Sequence, residues 1–291
     1  MQIYPLALVC IIPQGFGSDS DSIAGADRRI RLRGGRGLIR IAKAEDLAFL
    51  HPESEAAVRI MGLVAAYGTD QPFIRLWCDS ERRAFISLMD GYAVLEAADD
   101  ADFEELAVFL DMQTEITGIR TSLKTARKIN VFTGWTIQHE SVMTSGPDLK
   151  APDLKPAQLT PREVYPLLQK CFDDGLPPFE SWYVDVSHRI RHGCCRVIGF
   201  RHDGFPVSCA MTISECRSAA IIGAVATIES GRGRGYASAN VLTLTHHLIQ
   251  EGKKVLLSPK NWNAHQLYLR LGFIECGSWG NLYKTTGRIG T

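Results

Sequence analysis

The chain reads as an α/β protein, with a mixed, mostly antiparallel sheet flanked by helices. Three observations predict this. Strand-like apolar runs alternate with stretches of helical periodicity from residue 38 onward. Three such runs, at 194–201, 205–214 and 219–228, are joined by tight turns at His202-Asp203-Gly204 and at 215–218, which is the pattern of an antiparallel meander. The third run then passes through a loop of arginines and glycines into a long amphipathic segment and a short apolar strand.

In the first half, Leu38-Ile39-Arg40-Ile41 alternates as a short strand, and residues 42–50 (AKAEDLAFL) read as helical. Residues 73–78, 84–89 and 92–96 are strand-like, with turns at Asp79-Ser80 and Asp90-Gly91. Phe103, Leu106, Ala107 and Leu110 recur on one helical face. Residues 116–121 then read as a strand, 123–129 as a short helix and 131–143 as one or two strands.

Composition shifts at 144–161, where Pro147, Pro152, Pro156 and Pro161 punctuate the chain and PDLK occurs twice. We read 38–143 as an N-terminal α/β domain, 144–158 as a linker and 159–291 as a second domain. In that second domain, 162–172 is helical. Residues 179–192 form another helix, with Phe179, Trp182, Tyr183, Val186 and Ile190 on one face and Gly193 as its stop. After the meander, Ala237, Val241, Leu244 and Leu248 mark a long helix ending near Gly252, and 255–257 is a strand. Asn261 caps a helix whose face is Ala264, Leu267, Tyr268 and Leu271, and which Gly272 ends. Residues 273–283 return as one or two strands.

The loop between the third meander strand and the long helix is an anion cradle. A helix N-terminus presents unpaired N–H groups and the positive end of the helix dipole. Gly233 and Gly235 let the backbone approach phosphate oxygens, and Arg232 and Arg234 add positive charge. No Lys-Ser/Thr pair follows, as a nucleotide P-loop requires, and no acidic residue sits where a dinucleotide fold needs one.

The spacing Arg232-x-x-Gly235-x-Ala237 after Val225-Ala226-Thr227 resembles the acyl-CoA signature of the GCN5-related N-acetyltransferases (GNAT). Asn261, Ala264, Leu267-Tyr268 and Leu271-Gly272-Phe273 resemble the second half of that family's pattern. The resemblance covers about 159–284 and implies a C-terminal GNAT fold. The first half has a similar early element order, so a smaller, degenerate GNAT-like unit is expected there. In place of a cradle it carries Asp99, Asp100, Asp102, Glu104 and Glu105, which would repel a pyrophosphate. A single, C-terminal cofactor site is therefore expected.

The resemblance further implies acetyl-CoA as co-substrate, with its pantetheine arm along the backbone of Val225, Ala226 and Thr227 and an N–H near Ala226 as oxyanion donor. Arg232, Gly233, Arg234, Gly235, Tyr236 and Ala237 would hold the pyrophosphate, and Asn261 the arm. Tyr268 would protonate the departing thiolate; as a plain core aromatic it would instead only pack with Leu267 and Leu271. The sequence does not single out a base. Glu215 and Glu229 are candidates, each equally readable as a turn carboxylate. Acceptor contacts are expected from 176–192, where Glu180, Trp182, Tyr183 and Asp185 are polar or aromatic, and from whatever the first half presents as a wall.

Composition sets limits on these readings. A chain of 291 residues accommodates one large or two ordinary domains. Lys+Arg and Asp+Glu balance at 32 each, which argues against nucleic acid or a membrane surface as the main partner. No run approaches the length of a transmembrane helix. The 8 cysteines contain no C-x-x-C pair and read as small buried residues of a reducing, cytoplasmic protein. No metal is implied. Residues 1–37 read as a disordered extension; an RNA-contacting arm built on Arg28, Arg29, Arg31, Arg33 and Arg36, or a start codon set too far upstream, are the other readings. The expected activity is transfer of an acetyl group to a primary amine, on a small molecule or a peptide. The alternatives are a non-catalytic acyl-CoA-binding module and an RNA-associated protein. Oligomeric state is not readable.

Overall fold

The computed structural model describes residues 38–172 and 176–284. The extension expected over 1–37, and the RNA-contacting arm considered for it, lie outside the described residues. In chain order the elements are β1 (Arg40–Ile41), α1 (Glu55–Tyr67), β2 (Ile74–Cys78), β3 (Ala84–Met89), β4 (Tyr92–Ala97), α2 (Phe103–Met112), β5 (Gly118–Ser122), α3 (Leu123–Thr133) and β6 (Thr136–Ser145). There follow β7 (Ala157–Gln158), α4 (Pro161–Cys171), α5 (Phe179–Arg191), β8 (Val197–His202), β9 (Phe205–Glu215), β10 (Ala219–Thr227), α6 (Tyr236–Gln250), β11 (Lys254–Leu257), α7 (Trp262–Leu271) and β12 (Phe273–Tyr283).

The strands form one twelve-stranded sheet in the order β1-β2-β3-β4-β5-β12-β6-β11-β10-β9-β8-β7. Read from either edge inward, this is the same order, with β1 to β6 matched by β7 to β12. Each half has an antiparallel meander, then a parallel pair (β4 with β5, β10 with β11), and a final strand. Those final strands are exchanged. β12 pairs with β5 of the first half, and β6 pairs with β11 of the second. The two meet antiparallel at the centre, from Phe273↔Ser145 to Tyr283↔Thr136. The fold is therefore two copies of one topology joined through their last strands: the likeness expected for the early elements extends to the whole of each half, and the first unit is not the smaller one the sequence suggested.

Local chemistry accounts for the element ends. Ser54, Asp102, Ser122, Thr160 and Asn261 each accept a backbone N–H at the start of a helix, and Thr160 with Glu163 forms a capping box. Two expectations shift. The helix read at 42–50 is only a 3-10 turn at Asp46–Phe49, and the real helix α1 comes later. Part of the 131–143 strand belongs to α3, which runs on to Thr133. α1 hides from pattern reading because it is covered on most sides: Ala56, Ala57, Val58 and Ile60 are all buried, as are Glu55 and Arg59. Without a polar face it shows no 3.6-residue stripe.

α1 also ties the halves together. Its Gly62 lies so close to β9 that an added Cβ would meet Ser214 Oγ at 2.1 Å. Ser214 Oγ donates to Val58 O at 3.0 Å, and at the helix end Tyr67 OH donates to Asp185 of α5. At the central junction Tyr92 OH donates to Asn281 Oδ1 at 2.6 Å. α2 and α3 cover the first half, and α6 and α7 the second, on the opposite face of the sheet from α1 and α4. No helix among the described residues is long and apolar enough to cross a membrane.

Candidate functional site

The parallel register of β10 with β11 ends at Ile222↔Leu257. On its other edge, the pairing of β10 with β9 is interrupted between Gly223 and Ala226. Ala224 there has a φ of 49°, a left-handed conformation that costs an L-residue about 1–2 kcal/mol. A bulge of this kind bends a strand and re-aims its backbone. Beyond Ile222 the edge of β10 is consequently turned away from β11, and the gap is a cavity of about 560 Å³. Val225, Ala226 and Thr227 line it from β10, while Asn261, Ala264 and Tyr268 line it from α7. The sequence placed these residues in one site, and here they meet.

The cradle stands at the end of the same strand. Arg232 lines the cavity, and the loop from Gly233 to Gly235 leads into α6. Gly233 and Gly235 have φ of 76° and 77°, and an added Cβ at either would meet nothing within 4 Å. No side chain caps α6, and its first intrahelical bond runs from Ala239 N–H to Gly235 O. An uncapped helix start with open space before it and Arg232 and Arg234 exposed beside it fits a pyrophosphate. Tyr236 stacks on Phe200 at 4.6 Å, so its ring braces the first turn of α6; neither it nor Ala237 reaches the cavity lining.

Tyr268 is 5% exposed and packs on Phe273, with burial pushing its phenol well above the ordinary range. Asn261 spends its side-chain oxygen on Ala264 N–H at 2.9 Å, which makes it the cap of α7 at the cavity rim. Tyr268 is thus a core residue that also lines the cavity, and Asn261 is a helix cap that also lines it.

The candidate bases fare differently. Glu215 is buried and bound to Arg196 at 2.7 Å and Lys253 at 2.6 Å, away from the cavity. Glu229 is exposed and outside the lining. The residues expected to meet the acceptor do not reach it either. Trp182 is core, Asp185 is paired with Arg189 at 2.9 Å, Glu180 is exposed, and Tyr183 lies under Arg162. The polar wall comes instead from the first half and the exchanged strands: Arg59 of α1, Arg120 of β5, Gln138 and Glu140 of β6, and Asn281 and Trp279 of β12. Sequence reasoning allowed the first half to be a wall but named none of these residues. They are far apart in the chain, and only the β5-β12-β6 pairing brings them together.

Glu140 is half-buried, and burial raises its carboxyl above the ordinary value, while Arg120 and then Lys260 pull it down. Glu55, wholly buried, carries the two guanidiniums of the wall. Burial alone would raise it, yet Arg120 and Arg59 hold it down at about 2. The Arg120 guanidinium lies 3.7 Å over the Trp279 ring, and Trp279 Nε1 donates to Ser258 Oγ at 3.0 Å.

Comparison with known proteins agrees with this geometry. Residues 197–282 match the family described as FR47-like protein. No curated protein matches the chain. Among solved structures, a GCN5-related N-acetyltransferase from Kribbella flavida superposes with a TM-score of 0.60 at 14% identity, over 82% of this chain and 98% of its own. A Drosophila protein gives 0.61 at 13% identity, over 84% and 98%. A tandem GNAT protein from the clavulanic acid biosynthesis pathway gives 0.58 at 13% identity, over 88% and 99%. At these identities the likeness is one of fold. The described chain has the fold of the GCN5-related N-acetyltransferases, laid out as two units in tandem, and its second unit bears the FR47-like sequence match.

Proposed function

We propose that this protein is an acetyl-CoA-dependent N-acetyltransferase with one cofactor site, in the second unit. The observation that carries this reading is the convergence at one end of β10: a bulged strand edge open to a cavity, followed directly by an uncapped helix start flanked by Arg232 and Arg234. Bound acetyl-CoA would supply an activated acyl group. The backbone of Val225, Ala226 and Thr227 would align its arm by strand-like pairing, with an N–H near Ala226 directed at the acyl oxygen. Tyr268 would hold a proton for the leaving sulfur. Among the described residues the cysteines at 78, 171, 194, 195, 209, 216 and 276 are free, which suits a reducing cytoplasm.

Calorimetric titration with acetyl-CoA tests the reading. One site per chain is expected. Gly235→Glu sets a carboxylate in the cradle and should weaken binding more than tenfold, about 1.4 kcal/mol or more. Because Gly235 has a positive φ, Arg234→Glu serves as the companion variant that leaves the backbone conformation alone. Unchanged affinity in both folded variants would remove the cradle. Binding without acetylation of any amine would make the site an acyl-CoA-binding module.

A further inference from the structure

A buried polar relay ties the open edge of β10 to the helix that starts at the cradle. Ser208 of β9 is the register partner of Thr227, the last residue of β10. Ser208 is fully buried, and its hydroxyl makes three contacts. It donates to Ala226 O at 3.0 Å, accepts from Asn240 Nδ2 at 3.0 Å, and meets Thr227 Oγ1 at 2.8 Å. A hydroxyl has one proton and two lone pairs, and a carbonyl only accepts. With the Ser208 proton on Ala226 O, Thr227 is the donor of the third bond, and Ser208 has no capacity left. The Thr227 side chain is held on its other side as well, since an added Cβ at Gly231 would meet its methyl carbon at 3.2 Å. Asn240 is the fifth residue of α6, fully buried and about 6 Å along the axis from the helix start. One serine thus joins two residues that line the cavity, Ala226 and Thr227, to the helix that follows the cradle.

The first unit has alanine at each of these positions. Ile228, the residue after β10, donates its N–H to Val207 O at 3.0 Å, and Ala98, the residue after β4, donates to Arg83 O at 2.7 Å. That equivalence sets Thr227 against Ala97 and Ser208 against Ala84, which are register partners in turn. The fifth residue of α2, matching Asn240, is Ala107. Ala84, Ala97 and Ala107 pack in one apolar cluster. Both helices are held to the sheet by apolar side chains, Leu106 and Leu110 in α2, Val241, Leu244 and Leu248 in α6. Such packing is non-directional, and alanines complete it in the first unit. The unit with the cradle adds directed bonds, although burying their polar groups is unfavourable unless each is met.

On the acetyltransferase reading, on which this inference rests, we propose that Ser208 is a positioning residue. Through Thr227, Ala226 and Asn240 it holds the open edge of β10 and the start of α6 at the one spacing that a single cofactor spans. The edge takes the cofactor's arm and the cradle its pyrophosphate. Once one end is bound, binding of the other is intramolecular, and its strength depends on how well the spacing of the two half-sites matches the ligand. A slide of α6 over the sheet would leave each half-site intact and spoil only the match. It would also part Asn240 from Ser208 and leave buried polar groups unmet, which is how the relay resists it.

Binding of acetyl-CoA and of its two parts, 3′-phospho-ADP and S-acetylpantetheine, tests the role. Calorimetry reads the whole cofactor, and ligand-observed NMR the weaker parts. Ser208→Ala removes all three bonds. It should weaken acetyl-CoA tenfold or more and change the affinity for either part less than threefold. Asn240→Leu cuts the relay from the helix side, outside the cavity lining, and should give the same split; it decides the matter if Ser208→Ala does not fold. The double variant replaces both buried partners by apolar groups. Whatever melting temperature it recovers over the single variants, its acetyl-CoA affinity should stay low. Affinity that returns together with melting temperature would make the relay a matter of stability alone. That result overturns the positioning role and leaves the cofactor site standing. So does unchanged acetyl-CoA affinity in a folded single variant, and so do parts that weaken along with the whole. A wild-type protein that binds no acetyl-CoA overturns both readings.

Discussion

The two units differ at the same point of their shared topology, the passage from the fourth strand into the following helix. In the second unit β10 is broken from β9 by the bulge at Ala224, and α6 starts without a cap. In the first unit β4 keeps an unbroken register with β3, from Ala84↔Ala97 to Met89↔Tyr92. Its helix α2 is capped by its own Asp102, which accepts from Glu105 N–H at 3.0 Å. Asp99 is bound to Lys124 and Lys128 of α3, and Asp100 to Arg83. Both helices have a dipole, but one unit meets the positive end with its own carboxylates and the other leaves it without a side-chain cap. The topology alone therefore makes no site. A bulge, a missing cap and two arginines are what set the second unit's junction apart.

The first unit still serves the second, and the largest expected effect tests that service. Glu55 of α1 anchors Arg59 and Arg120, both of which line the second unit's cavity. Glu55→Gln leaves two buried guanidiniums facing a neutral amide, a loss of about 3–5 kcal/mol by analogy with other broken buried pairs. Chemical denaturation should register it, and a change under about 1 kcal/mol would mean that the wall does not depend on this residue. The pH dependence has a defined sign. The folded carboxyl sits at about 2 against an ordinary 4.5, so its contribution is present above about pH 4.5 and is lost as pH falls toward 2. The Gln variant should lack that acid-sensitive component.

Next in size is the hydroxyl of Tyr268. It is the seventh residue of α7, and the seventh residue of α3 in the first unit is Ile129, fully buried. The apolar ring position is thus common to both units, and the hydroxyl belongs to the unit with the cradle. Tyr268→Phe keeps the ring against Phe273 and should lower turnover roughly 10²-fold, with acetyl-CoA affinity and melting temperature little changed. Turnover within a factor of two of the parent would reduce Tyr268 to the role Ile129 plays.

What the sequence shows of this comparison follows from the range of each interaction. The cradle was legible because its parts are neighbours in the chain: a strand, two arginines, two glycines and a helix start. Asn261 and Tyr268 were legible through their spacing on α7. The acidic junction of the first unit was legible for the same reason. The exchange of β6 and β12 was not, because cross-strand partners such as Arg120↔Asn281 carry no local signal. The polar wall of the cavity depends on that exchange, so Arg120, Gln138 and Glu140 were missed, while Trp182 and Asp185, prominent in sequence, proved to be a core ring and a tether to α1. α1 was missed for the opposite reason: burial on several sides removes the polar stripe that marks a surface helix.

Asp102→Ala removes the cap of α2 and should cost about 1 kcal/mol in stability. It also makes the start of α2 resemble that of α6, with its first N–H groups no longer met by a side chain. If an uncapped helix start were sufficient for the cofactor, this variant would gain a second acetyl-CoA site. We expect it to gain none. Asp99, Asp100, Glu104 and Glu105 still surround that terminus, and the repulsion of a pyrophosphate by them outweighs the freed N–H groups. β4 also lacks the bulge that turns a strand edge toward a cavity, so an acyl arm would find no free edge beside it. Titration should therefore still give one site per chain, with a lowered melting temperature as the sign that the cap has been lost. A stoichiometry of two would show that charge alone silences the first unit, and that strand geometry does not contribute.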